Sequence, residues 1–105
     1  LQESARQIRV DDAINDYMLD IIHATRSHEQ LQLGVSTRGA ITLCRAVQSM
    51  ALVEGRNYVI PDDVKRLAGP VLAHRVVVKC VLHEGRRDRA KMVINQIVAK
   101  TRVPN

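Results

Sequence analysis

Four times along the chain, apolar residues recur at helical spacing. Ile14, Tyr17, Met18, Ile21 and Ile22 follow the i, i+3, i+4, i+7, i+8 rule, which predicts an amphipathic helix over about Asp12–Ser27 with Asp11 or Asp12 as its N-terminal cap. The polar stretch His28–Gln32 and Gly34 predict a loop. From Thr37 to Glu54, residues Ala40, Ile41, Leu43, Cys44, Ala46, Val47, Met50, Ala51 and Val53 spread apolar surface around much of a helix. Such a helix is expected at the centre of the core, with Gly55 just past its end.

A short extended segment, Arg56–Ile60, leads into the third helix. Pro61 just inside the start, Asp62 and Asp63 in the first turn, and Val64, Leu67 and Ala68 on one face predict about two turns, interrupted at Pro70. Val71–Arg75 is expected to resume as a turn, with His74 and Arg75 serving the negative end of the helix dipole. Val76–Val78 is β-branched and extended. The fourth helix runs over about Asp88–Lys100 on a stripe of Ala90, Val93, Ile94, Ile97 and Val98. Residues 1–9 read as a polar lead and Thr101–Asn105 as a tail stopped by Pro104. The expected fold class is all-α, a small bundle of four principal helices forming a single domain over 1–105, with no internal repeat.

Composition fits that picture. With 46% apolar and 26% charged residues and a mean hydropathy of −0.13, a chain of 105 residues has the balance of a globular domain with one core. No apolar run approaches the length of a membrane span, and a cytoplasmic location is expected. The chain begins at Leu1 without methionine or a signal-peptide pattern, so it is expected to be a fragment of a longer protein. Cys44 and Cys80 read as small apolar residues rather than a disulfide.

The net charge of +5 permits an acidic partner without selecting one. The densest basic run, Arg86–Lys91, is interrupted by Asp88. The only aromatic residues are Tyr17 and Tyr58, too few to stack on bases, so no specific nucleic-acid partner is expected. His23, His28, His74 and His83 show no metal spacing, and His74, Cys80 and His83 would have to wrap an ion, so no metal site is expected. Asp62 and Asp63 resemble a carboxylate pair, but adjacent helical residues face different ways and here serve the helix start. Neither a phosphate-cradling G-x-x-x-x-G-K-[ST] loop nor a G-x-G-x-x-G loop is present.

The candidate site is Gly34-Val35-Ser36-Thr37-Arg38-Gly39. Ser36 is a natural N-cap, which puts Arg38 in the first helical turn, where a cation opposes the helix dipole by ~0.3–1 kcal/mol. That position, with its free backbone N–H groups, is a ready place for an anion. Gly34 is expected to break the preceding structure, and Gly39 to leave room for a ligand. The competing reading is a solvated arginine tolerated at little cost.

The blocks Val10-Asp11-Asp12-Ala13, Tyr17, Ala24-Thr25-Arg26, Leu33-Gly34-Val35-Ser36-Thr37-Arg38, Gly55 to Lys65 and Pro70 to Arg75 together resemble the C-terminal lid subdomain of the MoxR family of AAA+ ATPases. The match spans about 10–75 and, more weakly, the last helix. Thr37 stands where relatives frequently have proline. The resemblance implies that Arg38 is the sensor-2 arginine, reaching the phosphates of ATP, with Ser36, Thr37 and Gly39 beside the nucleotide. It implies ATP with Mg²⁺ bound mainly by a nucleotide-binding domain outside this chain. It further implies a homo-oligomeric ring, a chaperone-like role in assembling or remodelling protein complexes, and a von Willebrand factor A domain partner. Without Walker motifs the chain alone is expected to hydrolyse nothing. The alternative is a histone-fold-like module binding DNA or a partner protein, which the long second helix and the Pro61-Asp62-Asp63-Val64 start also fit. A bare helical scaffold is the third.

Overall fold

In a computed structural model, residues 8–29, 31–78 and 86–104 are described. Helix α1 (Asp12–Ser27) is followed by strand β1 (Leu31–Leu33), helix α2 (Thr37–Val53) and helix α3 (Pro61–Leu72). A 3-10 turn (Ala73–Arg75), strand β2 (Val77–Val78) and helix α4 (Arg86–Lys100) complete the chain. No described helix is long and apolar enough to cross a membrane. The architecture is the expected all-α bundle, with one addition. Leu31–Leu33, expected to be loop, pairs antiparallel with Val77–Val78. Neither piece is long enough to show a period in the sequence, and the pairing joins residues more than forty apart.

One core runs through the bundle. Ile14, Tyr17, Met18, Ile21 and Ile22 of α1 meet Leu43, Val47 and Ala51 of α2, Val64, Ala68 and Leu72 of α3, and Ala90, Val93, Ile94, Ile97 and Val98 of α4. The α1 and α4 stripes are those read from the sequence. Helix α2 differs. It buries a single stripe of Gly39, Leu43, Val47 and Ala51, while Ile41 is 49% and Val53 78% exposed. The expectation of a helix buried around much of its circumference therefore gives way to a one-sided packing. An apolar residue two positions from a buried one sits most of a half-turn away, and no fourth layer covers it. Cys44 is half-buried and free, and burial pushes its thiol pKa up, with Arg45 opposing. Cys80 and His83 lie outside the described residues.

Helix ends account for the corners. Gly55 takes φ +77, its N–H donates to the Leu52 carbonyl at 3.0 Å, and the Arg56 N–H reaches Ala51 at 2.9 Å. This pair of bonds closes α2 with the glycine its left-handed residue requires. Asp63 then starts α3. Its own N–H donates to the Ile60 carbonyl and its carboxylate accepts the Ile60 N–H, both at 3.0 Å.

Helix α3 does not stop at Pro70, as the sequence predicted, but continues to Leu72. Pro70 removes one helical hydrogen bond. Gly69 before it has no Cβ to collide with the proline ring, and the buried Ala68, Gly69 and Leu72 hold the last turn on the core. Gly69 also admits α4, since a Cβ there would stand 2.8 Å from Asn95 Oδ1.

Of the leading segment, expected to be polar, Ile8 and Arg9 are described and both are tied to the fold. Ile8 is buried, its carbonyl accepts from Gln48 Nε2 at 3.0 Å, and Arg9 forms a parallel bridge beside Tyr58. Helix α4 begins at Arg86, two residues before the expected start. Tyr17 is 1% exposed and its hydroxyl has no hydrogen-bond partner among the described residues. Burial, and then the charge of Asp62, push that hydroxyl's pKa up.

Candidate functional site

The turn that delivers Arg38 is fixed from the end of α1. The Thr25 hydroxyl donates to the Ile22 carbonyl at 2.6 Å and accepts the Val35 N–H at 2.9 Å. Next along α1, Arg26 Nε donates to the Val35 carbonyl at 2.9 Å. Both backbone polar groups of Val35 are thus satisfied by consecutive side chains, and the Val35 side chain is buried in the core. Gly34 makes the approach possible. A Cβ there would stand 2.6 Å from the Arg26 Cα and 2.7 Å from the Thr25 carbonyl carbon, with backbone on both sides and nothing able to yield. Gly34 follows directly on the end of β1, as the sequence predicts, and its missing Cβ also serves close packing.

Ser36 follows as the N-cap, and its hydroxyl accepts the Gly39 N–H at 3.3 Å. The Ala40 N–H returns to the Ser36 carbonyl at 3.1 Å. Thr37 and Arg38 are exposed, and among the described residues their backbone N–H groups have no acceptor. No acidic residue stands in the first turn of α2, and among the described residues the Arg38 side chain forms no ion pair or hydrogen bond. The turn therefore offers a guanidinium and two backbone donors. That donor set suits phosphate oxygens and contains no metal ligand.

Gly39 does not behave as expected. It is buried, its N–H is taken by Ser36, and its open face is filled. A Cβ would lie 2.5 Å from Val35 Cγ1 and 3.0 Å from Arg75 Cδ. The glycine makes room for protein rather than ligand. Arg75 stands just past the end of α3, as expected, but its stem has a second place. It lies on the 3-10 turn with its stem over α2, and neither it nor His74 has a described side-chain bond to a helix carbonyl.

The charged pair with the clearest geometry lies at the other end of α2. Arg56 reaches both carboxylate oxygens of Asp63, at 2.8 and 2.9 Å, together with Glu54 at 3.1 Å and the Tyr58 carbonyl at 3.0 Å. Arg66 adds a second contact to Glu54 at 3.0 Å. Asp63 is fully buried. Burial pushes its pKa up, but the bonds from Arg56 and the Ile60 N–H outweigh that and hold it below the ordinary carboxylate value. Sequence reasoning found the Asp63 cap and missed Arg56. The network joins α2 to α3 and is structural, because every group in it is engaged within the fold. No cluster of potential metal ligands occurs among the described residues.

Comparison with known proteins agrees with this fold. The model of the AAA lid domain family matches residues 23–97. The chain is 40% identical over 99% of its length to the uncharacterised protein YeaC of Bacillus subtilis, of which it covers 32%. It is 35% identical over 99% of its length to Chaperone MoxR1 of Mycobacterium tuberculosis, covering 30% of that protein, and 30% identical over 88% to Protein MoxR of Paracoccus denitrificans, covering 31%. It thus spans about a third of the length of these relatives. A crystal structure from Cytophaga hutchinsonii, described provisionally as an ATPase, superposes with a TM-score of 0.83 at 24% identity. The match covers 98% of this chain and 34% of that one, and at that identity it speaks for the fold.

Proposed function

The chain belongs to the AAA lid domain family, as the lid of a MoxR-like AAA+ ATPase, and from that premise we propose that it closes over ATP held by a separate nucleotide-binding domain and senses it through Arg38. The observation that carries this reading is the exposed guanidinium of Arg38, unpaired among the described residues, beside two backbone donors without an acceptor among them, on a turn anchored to α1 through Val35. An arginine in the first turn has an unfavourable interaction with the helix dipole. An anion at the same place reverses the sign.

In the closed state Arg38 would stabilise charge on the transferring phosphoryl group, and Thr37 would offer its backbone N–H and hydroxyl beside it. Ser36 keeps the helix start in shape. Mg²⁺ and the remaining phosphate contacts belong to the nucleotide-binding domain. Loss of the terminal phosphate would release Arg38, so that lid rotation transmits work through a homo-oligomeric ring. We extend the reading to chaperone-like remodelling or assembly of protein complexes in the cytoplasm. One relative is named a chaperone. A von Willebrand factor A domain partner belongs to the same proposal, on the family resemblance. No observation favours the histone-fold-like alternative.

The test is Arg38→Ala in the whole ATPase. Hydrolysis should fall by on the order of tenfold or more, with the melting temperature of the lid unchanged or slightly raised, since the dipole penalty is relieved. Arg38→Lys should recover only part of the rate, because a point charge replaces a planar fork. Unfolding caused by Arg38→Ala would make the residue structural and end the proposal.

A further inference from the structure

Arg75 packs against the N-terminal turn of α2, the turn that carries Arg38. Its stem crosses the face of Gly39, the residue that follows Arg38. A Cβ at position 39 would stand 3.0 Å from Arg75 Cδ and 3.8 Å from Arg75 Cβ. The absence of a side chain at 39 is what lets Arg75 lie there. Once its stem is placed, its guanidinium, attached to that Cδ, must emerge beside the first turn of α2. Arg75 is exposed, and among the described residues it has neither a carboxylate nor a carbonyl partner.

Of the described arginines, Arg9, Arg45, Arg89 and Arg102 also lack a described side-chain partner, so it is the packing on Gly39 that singles out Arg75. Arg56 and Arg66 have carboxylates within 3.1 Å. Arg26 of α1, which holds the turn that carries Arg38, is committed through Nε to the Val35 carbonyl. Arg38 and Arg75 come from two elements distant in sequence, Arg75 packs on the glycine that follows Arg38, and neither faces a described counter-charge. Filling the space over Gly39 needs only an apolar stem, which a leucine or methionine supplies without setting a second cation beside the first.

We infer that Arg75 is a second phosphate-binding cation of the site, acting with Arg38 on the same polyphosphate. The inference rests on the Arg38 reading above. In it, the 3-10 turn after α3 is part of the nucleotide-facing surface, and Gly39 serves that surface by admitting the Arg75 stem.

The experiment titrates the 105-residue chain with inorganic tripolyphosphate at fixed ionic strength, following the backbone amide NMR signals of Thr37, Arg38 and Gly39. The variants are Arg38→Met, Arg75→Met, Arg75→Lys and, as a control for net charge, Arg66→Met, on α3 beside the far end of α2. Methionine keeps an apolar stem over Gly39, and thermal melting verifies that each variant is folded. Weak binding by the wild type should be reduced about three- to tenfold by Arg75→Met and by a similar factor by Arg38→Met. It should be largely retained in Arg75→Lys and unchanged in Arg66→Met. If Arg38→Met loses binding and Arg75→Met does not, the inference fails and the Arg38 reading stands. If neither change matters, or Arg66→Met weakens binding as much as Arg75→Met, both fail.

Discussion

The Val35 N–H ends on the hydroxyl of Thr25, ten residues earlier, at 2.9 Å. That bond is buried, and the same hydroxyl is held by the Ile22 carbonyl. Thr25→Val keeps the shape and removes the acceptor. It should cost about 1–3 kcal/mol in denaturant unfolding, because a buried N–H loses its partner. The amide signals of Val35–Arg38 should shift more than those of the remote α2–α3 corner, and a uniform shift would mean that the bond does not specifically hold this turn.

Gly34 and Gly55 should respond differently to alanine. At Gly34 the new methyl meets fixed backbone at 2.6 Å, so the turn must move away from α1. A loss of about 1–3 kcal/mol is expected, with perturbed signals around Arg38. At Gly55 nothing lies within 4 Å and only the positive φ resists, a cost of about 1–2 kcal/mol with the site untouched. Equal spectral effects from the two changes would count against the close-packing role of Gly34.

These two glycines show what the sequence could and could not convey. Punctuation was legible, and both mark the borders of α2. The reason was legible only for Gly55, because a helix end is a local event. Close packing on α1 joins residues separated by a loop and leaves no period to read. For the same reason Thr25 and Arg26 entered the reading only through a family resemblance. The Asp63 cap, a contact across three residues, was evident, whereas its bond to Arg56 depends on how α2 turns into α3. Arg38 was found from its place in a helical turn, and Arg75, which tertiary packing lays over Gly39, was not.

Asp63 gives the fold an acid sensitivity of known sign. Its carboxyl titrates below its ordinary value in the folded chain. Its contribution is therefore complete above the unfolded carboxylate value, about pH 4, and is lost as pH falls from there through the depressed folded value. Asp63→Asn should lower stability at neutral pH by about 1–3 kcal/mol and flatten this acid limb. Urea midpoints measured across pH 2 to 7 decide it: an acid limb equally steep in the variant would assign the sensitivity to other groups.

Ile41 and Val47 lie on the same helix and look alike in the sequence, yet they are 49% and 0% exposed. Val47→Ala should cost about 1–3 kcal/mol by opening a cavity, and Ile41→Ala under about 1 kcal/mol. Comparable losses in chemical denaturation would mean that the exposed face of α2 is covered in solution.

Arg56 closes the end of α2 with its backbone and grips the start of α3 with its side chain, over a span of only seven residues. Few degrees of freedom are frozen when a loop that short closes, so this corner can assemble long before strands more than forty residues apart meet. Folding is expected to begin there, in a helical hairpin that orients the two middle helices before α1 and α4 dock. Arg56→Gln should then slow refolding in a stopped-flow experiment more than it speeds unfolding. By that order of events the phosphate-facing turn would be among the last parts of the molecule to take shape, since it needs α1 in place to anchor Val35.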